Sequence, residues 1–504
     1  MPIQSDEVGE RCAPGSATQY TNGRRCAHEY LMLTGLNTPC NHPAVKIVVV
    51  GGGISGLATA YALHERSRDA NQSNEIVVLE ASEAIGGTIA TTPSNGFLCE
   101  GGPNGFLDSK PHTLALIRRL GLSEQVLIAS DASRRRFVMV KGRLHELPTT
   151  PGAFLRSGLL TLGGRLRVVC ERWVGRAVTA EDETVAAFAR RRLGTQAAQR
   201  LIDPFVSGVF AGDPEQLSLR ATFPRLHELE TEYGSLIRAS SKLRKERGPQ
   251  EGGAAGPGGR LTSFSEGMGT LTNALARALG PCVQCKSPVV SVTRDSDRWT
   301  VVTAAGAIES VDCVILAIPA YRAAALLAPL DKALSEPLNS IPYASVAVVA
   351  LGFHRDAVQH PLDGFGFLIP HQENRKILGC LWTSSIFPGR RAPDDHVLLR
   401  SMVGGARAGE RVALDDASMV ALVRAELDNL LGLEGDPALV HVRRYDRAIP
   451  QYTLGHLDRV EALEEACSQW PGLYVTGNAL RGVGINDCTR EAEEVAVRLL
   501  DTRH

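Results

Sequence analysis

A glycine turn between two short apolar runs constrains this chain more than any other feature. Residues 45–80 read VKIVVVGGGISGLATAYALHERSRDANQSNEIVVLE. Val45–Val50 is rich in β-branched residues, the pattern of a parallel strand covered on both faces. Gly51, Gly53 and Gly56 follow at G-x-G-x-x-G spacing. The first permits a tight turn, the second lets a pyrophosphate approach the backbone, and the third lets helix pack on strand. From Ser55 to about Ser67, Leu57, Ala58, Tyr61 and Ala62 recur on a helical period, so free N–H groups and the positive end of the helix dipole face the phosphates. Residues 71–74 read as a polar turn and Ile76–Leu79 as a second buried strand. Glu80 ends that strand, where an acid accepts hydrogen bonds from ribose hydroxyls and disfavours a phosphorylated ribose. A lone G-x-G-x-x-G also occurs in surface loops, but strand, helix, strand and acid in register make this a dinucleotide-holding unit, without saying which dinucleotide.

A chain of 504 residues with 44% hydrophobic content exceeds what one core serves, so two or three domains are expected. Its 54 basic and 55 acidic residues give no electrostatic footprint for nucleic acid. The 11 cysteines are scattered and odd in number, no signal peptide is recognisable, and no apolar run is long enough to span a bilayer, so a cytoplasmic chain is expected. Cys282 and Cys285 form a C-x-x-C, but no second Cys/His pair lies at zinc spacing. Both read as ordinary thiols, and no metal is expected. Residues 1–43 are polar, carry acids (Asp6, Glu7, Glu10) unlike a transit peptide, and read as a disordered tail. The equal spacing of Cys12, Cys26 and Cys40 within it has no explanation.

Beyond Glu80, Gly86 and Gly87 make a second close-approach loop, which favours a larger cofactor, and Gly102, Pro103 and Asn104 form a turn that borders the cofactor's ring system or simply connects. Arg134, Arg135 and Arg136 precede a strand-like FVMV. Leu155, Leu159 and Leu160 with Arg156, Arg165 and Arg167 make a surface that either lies on a membrane or packs as an ordinary helix on its own core. Residues 247–260 read as a flexible glycine-rich loop. Val289–Val292, Trp299–Thr303 and Asp312–Ile318 read as strands, and residues 341–405 alternate strands with turns. The C-terminal GLYVTGNALRGVGINDCTREAEEVAVRLL carries a strand, Gly477-Asn478, a glycine turn through Gly484, and a helix from near Asp487 whose N-terminus faces a ligand.

The G-x-G-x-x-G, Glu80, the Gly86-Gly87 loop and the C-terminal glycine segment together resemble the flavin-containing amine oxidase superfamily. That resemblance implies an α/β fold: a discontinuous Rossmann-like FAD-binding domain (44–130, 262–322 and 465–504), a mixed-sheet substrate domain (226–261 and 323–464) and a helical domain (131–225). It implies non-covalent FAD held by Gly51, Gly53, Ser55, Gly56, Glu80, Ala81, Gly86, Gly87, Gly102, Pro103, Asn104, Val290, Gly477, Asn478, Gly484 and Ile485. DPFVSGVFAGDPEQLSLRATFP (203–224), GFGFLIP (364–370), ILGCLWTSSIFPGR (377–390) and SMVGGAR (401–407) resemble segments of the oxygen-dependent protoporphyrinogen oxidases. The match implies Gly208 over flavin and tetrapyrrole, Leu368 and Leu381 clamping a pyrrole ring, Met402 lining the pocket, and Arg136 holding a propionate. Periodicity alone would make the three apolar residues core and Arg136 one of a solvated run. The sequence departs from the family at Tyr445, where tryptophan is frequent.

No Ser/His/Asp set, paired carboxylates or metal cluster emerges and the 13 histidines are dispersed, so the cofactor must carry the reaction. The resemblance implies an oxidoreductase of heme biosynthesis acting on CH–CH groups. Three two-electron oxidations would take protoporphyrinogen IX to protoporphyrin IX, with dioxygen reduced to hydrogen peroxide. Related bacterial enzymes instead take coproporphyrinogen III to coproporphyrin III; that substrate's two extra carboxylates call for extra cations, and the apolar slot favours the first reading. A desaturase, an amine oxidase or a non-enzymatic flavoprotein would share the FAD domain without DPFVSGVFAGDP and GFGFLIP. Peripheral contact with the inner face of a membrane and a homodimer both stay open.

Overall fold

The computed structural model describes residues 45–176, 181–247 and 259–501; the polar N-terminal stretch with its evenly spaced cysteines, and 248–258 of the glycine-rich loop, lie outside them. Five parallel strands form the sheet under the glycine turn, in the order Val283–Gln284, Glu75–Leu79, Lys46–Val50, Cys313–Leu316, Leu473–Val475. Alternate residues of Lys46–Val50 serve two cores. Ile47 and Val49 meet the helices Ile54–Asp69, Gly269–Leu279 and Ile485–Asp501, while Val48 and Val50 meet Trp299 and the helices Ala320–Leu327, Lys332–Asn339 and His456–Ser468. A strand buried on both faces needs an unbroken apolar run, which explains why KIVVV and CVIL were legible.

The strand expected at 312–318 is shorter, Cys313–Leu316, and Pro319 caps the next helix. The last helix starts at Ile485, two residues before Asp487. Asp487 sits inside the first turn, where its carboxylate accepts from the Gly484 N–H at 3.3 Å. An acid there favours the N-terminal end without marking its first residue.

A second sheet has seven strands, in the order Leu439–Pro450, Tyr343–His354, His396–Gly404, Ile377–Trp382, Gly366–Leu368, Phe137–Val140, Arg143–Glu146. All pair antiparallel except Gly366–Leu368 with Phe137–Val140. FVMV, inside the stretch expected to be helical, is therefore an interior strand of this sheet. Phe137, Met139, Val349, Phe367 and Trp382 pack on one face against Met419, Val423 and Leu427 of the helix Asp416–Leu431. The opposite face borders the site.

Of the three leucines expected on one amphipathic surface, Leu159 and Leu160 are buried against Val138, Val140 and Ala197, and only Leu155 is exposed. Leu159 and Leu160 precede the helix Leu162–Val169, so a helical period does not run through them. The exposed apolar stripe is instead Leu162, Leu166, Val169 and Trp173, at 68, 54, 41 and 70% exposure.

The helical layer is joined by a buried ion pair between Arg192 and Glu171. Arg192 also donates to the Val174, Gly175 and Gly234 carbonyls and to Glu230, while Glu171 accepts from the Ser235 hydroxyl at 2.6 Å and from the Leu236 and Ile237 N–H groups. The stretch 230–237, expected with the substrate domain, is thereby tied to residues 171–192. Glu171→Ala leaves the buried Arg192 guanidinium with only the longer contact to Glu230 and should lower the unfolding free energy by about 3–5 kcal/mol in chemical denaturation. A loss below about 1 kcal/mol would show that this pair does not join the helices.

Candidate functional site

The glycines of the first turn have distinct tasks. Gly51 has φ +112°, and a side chain there would strike the Ala317 carbonyl. A Cβ on Gly56 would enter the Gly51 carbonyl. At Gly53 the nearest atom to an added Cβ is the Gly87 Cα, 4.0 Å away, so what faces Gly53 is space. The Gly86 N–H donates to the Gly52 carbonyl at 2.8 Å, bringing the two glycine loops side by side. The gap between them opens at the N-terminus of Ile54–Asp69, a ready site for an anionic group. Gly477 (φ +122°) reaches the same place, with its would-be Cβ 3.8 Å from the Ser55 hydroxyl.

Glu80 does more than wait for a ribose. Its Oε2 accepts from the Gly52 N–H at 2.7 Å and its Oε1 from the Ser82 N–H at 2.8 Å, so it also braces the turn. Ala81 beside it is exposed. Glu80 in turn anchors 284–287 through Glu80 N–H to Gln284 carbonyl and Ser287 N–H to Glu80 carbonyl bonds of 2.9 and 2.8 Å. Val290 follows in a β-bulge, 56% exposed and outside the ladder pairing. Such a bulge leaves main-chain groups free for a ligand.

At the other end of the gap, Gly102 packs so closely on the Thr88 carbonyl that no side chain fits, and half-buried Pro103 leads to buried Asn104. Neither polar atom of the Asn104 side chain has a partner among the described residues, nor does the buried hydroxyl of Thr476. A buried polar group left unpaired costs about 1–3 kcal/mol, so these atoms fit a ligand rich in donors and acceptors. The Asn478 carbonyl accepts from the Tyr452 hydroxyl at 2.5 Å, and half-buried Gly484 leads into buried Ile485. Together the side-chain-free gap and the partnerless Asn104 and Thr476 fit a flavin dinucleotide held without a covalent bond.

Beneath this end lies the second sheet. Leu368 is paired opposite Gly379, Gly379 opposite Met402, and Met402 opposite Val348; the next row runs Gly366, Leu381, Arg400. Directly opposed residues project to the same face, so Leu368, Leu381, Met402 and Arg400 share one surface, with Gly366 and Gly379 leaving a trough. The helix Asp203–Phe210 lies across it, and a Cβ on Gly208 would come within 2.7 Å of a Leu368 methyl. Arg136 is half-buried at the rim, its guanidinium 5.1 Å above the Phe365 ring, which packs with Leu381. Burial lowers its pKa, and no carboxylate pairs with it among the described residues.

Sequence reasoning missed two arginines. Arg400 is buried and donates to the Glu100 carbonyl at 3.0 Å and the Gly102 carbonyl at 2.5 Å, pinning the loop 100–104 to the sheet. Burial lowers its pKa, opposed by buried Glu100. Its signal was a charge inside the apolar strand HVLLRSMVG. Arg407 bonds Asp203 at 2.5 Å and Asp213 at 2.6 Å, clamping both ends of the Gly208 helix, while Asp203 also accepts from the His371 N–H at 2.8 Å. Among the described residues no cluster of histidine, cysteine or acid is arranged to hold a metal.

Gly53→Val fills the gap between the loops and should yield protein with no bound flavin by absorbance near 450 nm, roughly the position of the flavin band. A yellow variant with wild-type flavin content would contradict the assignment of the gap.

The family model described as flavin containing amine oxidoreductase matches residues 54–500. Curated relatives include coproporphyrinogen III oxidase of Bacillus subtilis (strain 168), 33% identical over 452 residues that cover 88% of this chain and 95% of the relative. The chloroplastic protoporphyrinogen oxidase of Oryza sativa subsp. japonica is 34% identical over 477 residues, covering 90% and 88%. A solved structure from Exiguobacterium sp. 255-15, described as a candidate protoporphyrinogen oxidase, superposes with a TM-score of 0.79 at 28% identity over 92% of this chain and 100% of that one. Reduced UDP-galactopyranose mutase, at 17% identity and a TM-score of 0.70, shares the fold alone. Matched across both the glycine gap and the sheet beneath it, the chain belongs to the flavin containing amine oxidoreductase family, has FAD as its cofactor, and is related to the porphyrinogen oxidases.

Proposed function

We propose that this chain oxidises protoporphyrinogen IX to protoporphyrin IX, with dioxygen as acceptor and hydrogen peroxide as co-product. The observation that carries this reading is the apolar trough of Leu368, Leu381 and Met402 beneath Gly208, with half-buried Arg136, which no carboxylate among the described residues pairs, at its rim. The residues named above around the glycine gap are those that would hold FAD. FAD held there would supply hydride acceptance from a substrate carbon and reoxidation by dioxygen.

The chain's own part is placement. Leu368 and Leu381 offer a flat macrocycle apolar contact, Gly208 keeps the space above Leu368 open, and Arg136 pairs with a propionate in a site of reduced water content, where a charge-assisted bond is strong. None of these side chains takes a proton, so protons released from the macrocycle pass to solvent.

One observation favours coproporphyrinogen III as a second reading. Arg443 stands opposite Val348, in the row of Met402, with its guanidinium 5.5 Å from the Tyr445 ring centroid. It would be a second cation for a substrate with more carboxylates. Incubation with each porphyrinogen in air, with products identified by mass and fluorescence, decides between them; turnover of neither would overturn both readings.

Arg136→Ala should raise the KM for the accepted porphyrinogen by about 10–100-fold, the worth of one bond to a charged group, and retain flavin. Loss of FAD in that variant would place Arg136 with the cofactor instead.

No described helix is long and apolar enough to cross a membrane. The stripe Leu162, Leu166, Val169 and Trp173, beside exposed Arg156 and Arg172, supports peripheral contact with an anionic lipid surface. Leu166→Glu with Trp173→Glu should abolish co-sedimentation with phosphatidylglycerol vesicles while leaving turnover intact; unchanged co-sedimentation would rule out this face.

A further inference from the structure

The segment following the strand Leu439–Pro450 reads QYTLGH (451–456), and the functional reading assigns it nothing. Its Tyr452 is buried, yet its hydroxyl is fully used: it donates to the Asn478 carbonyl at 2.5 Å and accepts from the Gly482 N–H at 2.8 Å. Its ring stacks on His456, with centroids 4.0 Å apart and planes 19° from parallel. His456 is also buried, with Nε2 2.9 Å from the Leu480 carbonyl. A carbonyl only accepts, so Nε2 carries the proton, and Nδ1 has no partner among the described residues. Burial depresses the His456 pKa to about 4, which keeps the ring neutral and this tautomer fixed at ordinary pH. Two side chains thus grip three backbone groups, at 478, 480 and 482, in the glycine segment that reaches the FAD gap.

The same short segment grips the substrate side. Gln451 donates to the carbonyl of Phe210, the last residue of the helix that carries Gly208, at 2.9 Å. The Tyr452 carbonyl accepts from the Ser218 N–H at 2.8 Å, and the Tyr452 ring meets Phe210 edge-on at 6.2 Å. Gln451 and Tyr452 are neighbours in sequence, so the two grips are separated by one peptide unit.

We propose that Tyr452, braced by His456, is a positioning residue that holds the segment 478–482 at a fixed separation from the Gly208 helix, and with it the cofactor from the substrate. The proposal rests on the porphyrinogen oxidase reading. A hydride moves only between atoms in near contact, and a misplacement of about 1 Å costs on the order of 100-fold in rate. An apolar core role for Tyr452 would require neither hydroxyl bond. A purely structural role would make stability, flavin content and activity fall together.

The test compares wild type, Tyr452→Phe, His456→Gln and His456→Ala as purified flavoproteins. Tyr452→Phe keeps the ring and its stack, and Gln places an amide donor near the position of Nε2. Expected for Tyr452→Phe are retained flavin, a Tm within a few degrees of wild type, an unchanged KM, and flavin reduction by the accepted porphyrinogen slowed about 10–100-fold in anaerobic stopped flow. Also expected is a shifted visible flavin band in the resting protein, which needs no turnover. His456→Gln should recover most of what His456→Ala loses. A Tyr452→Phe protein with wild-type reduction rate and flavin spectrum overturns the positioning role and leaves the functional reading intact. Activity that falls only in proportion to Tm and flavin content, in both Tyr452→Phe and His456→Gln, also overturns it. A wild-type flavoprotein reduced by neither porphyrinogen overturns the functional reading and this proposal with it.

Discussion

The structure depends on one place where backbone meets backbone with nothing between. The Gly86 N–H reaches the Gly52 carbonyl, Gly53 lies alongside Gly87, and the helix Ile54–Asp69 begins there. A Cβ at Gly51 or Gly56 would collide with main chain, and one at Gly53 would occupy ligand space. The gap also sets the position of its surroundings: Glu80 braces it from below, Gly102 is packed on Thr88 beside it, and Gly477 closes it from the far end of the chain.

A second requirement follows from the first. A gap lined by glycine has no side chains of its own to brace it, so rigidity comes from charged groups around it. Arg400 ties the loop 100–104 to the seven-stranded sheet through two carbonyls, and Arg407 fixes the Gly208 helix to that sheet through Asp203 and Asp213. Both arginines come from the strand His396–Gly404 or just beyond it, next to Met402 in the trough. The strand that shapes the apolar slot also anchors the two elements above it. Burying a guanidinium is expensive unless its donors are satisfied, and here carbonyls and carboxylates satisfy them.

What the sequence made legible was whatever is local. The glycine turn, Glu80, KIVVV and CVIL each carry their reason within a few residues, because a turn, a cap or a doubly covered strand is dictated by neighbours in the chain. FVMV could be read as a strand but not assigned to its sheet, since its partner Gly366–Leu368 lies more than two hundred residues away and only register reveals the pairing. Leu159 and Leu160 were misplaced because a helical period was carried across an extended link before Leu162. The second use of Glu80, the partnerless Asn104 and the role of Arg400 depend on backbone groups brought together by tertiary structure, which no pattern of side chains records. The Tyr445 hydroxyl lies 3.5 Å from the Thr88 carbonyl, beside the Gly86-Gly87 loop.

The parallel sheet is assembled from distant parts of the chain: Lys46–Val50 pairs with Cys313–Leu316, which pairs in turn with Leu473–Val475. During synthesis the first strand must therefore wait, with both faces apolar and its neighbour on one side missing, until residues near 316 have left the ribosome. The edge strand Leu473–Val475 can be added only after about 150 further residues have been made. A nascent chain halted before residue 473 would lack both Gly477 and the helix Ile485–Asp501 at the glycine gap. Such a chain would hold a half-built nucleotide fold with exposed strand edges, the kind of intermediate that chaperones bind and proteases clear.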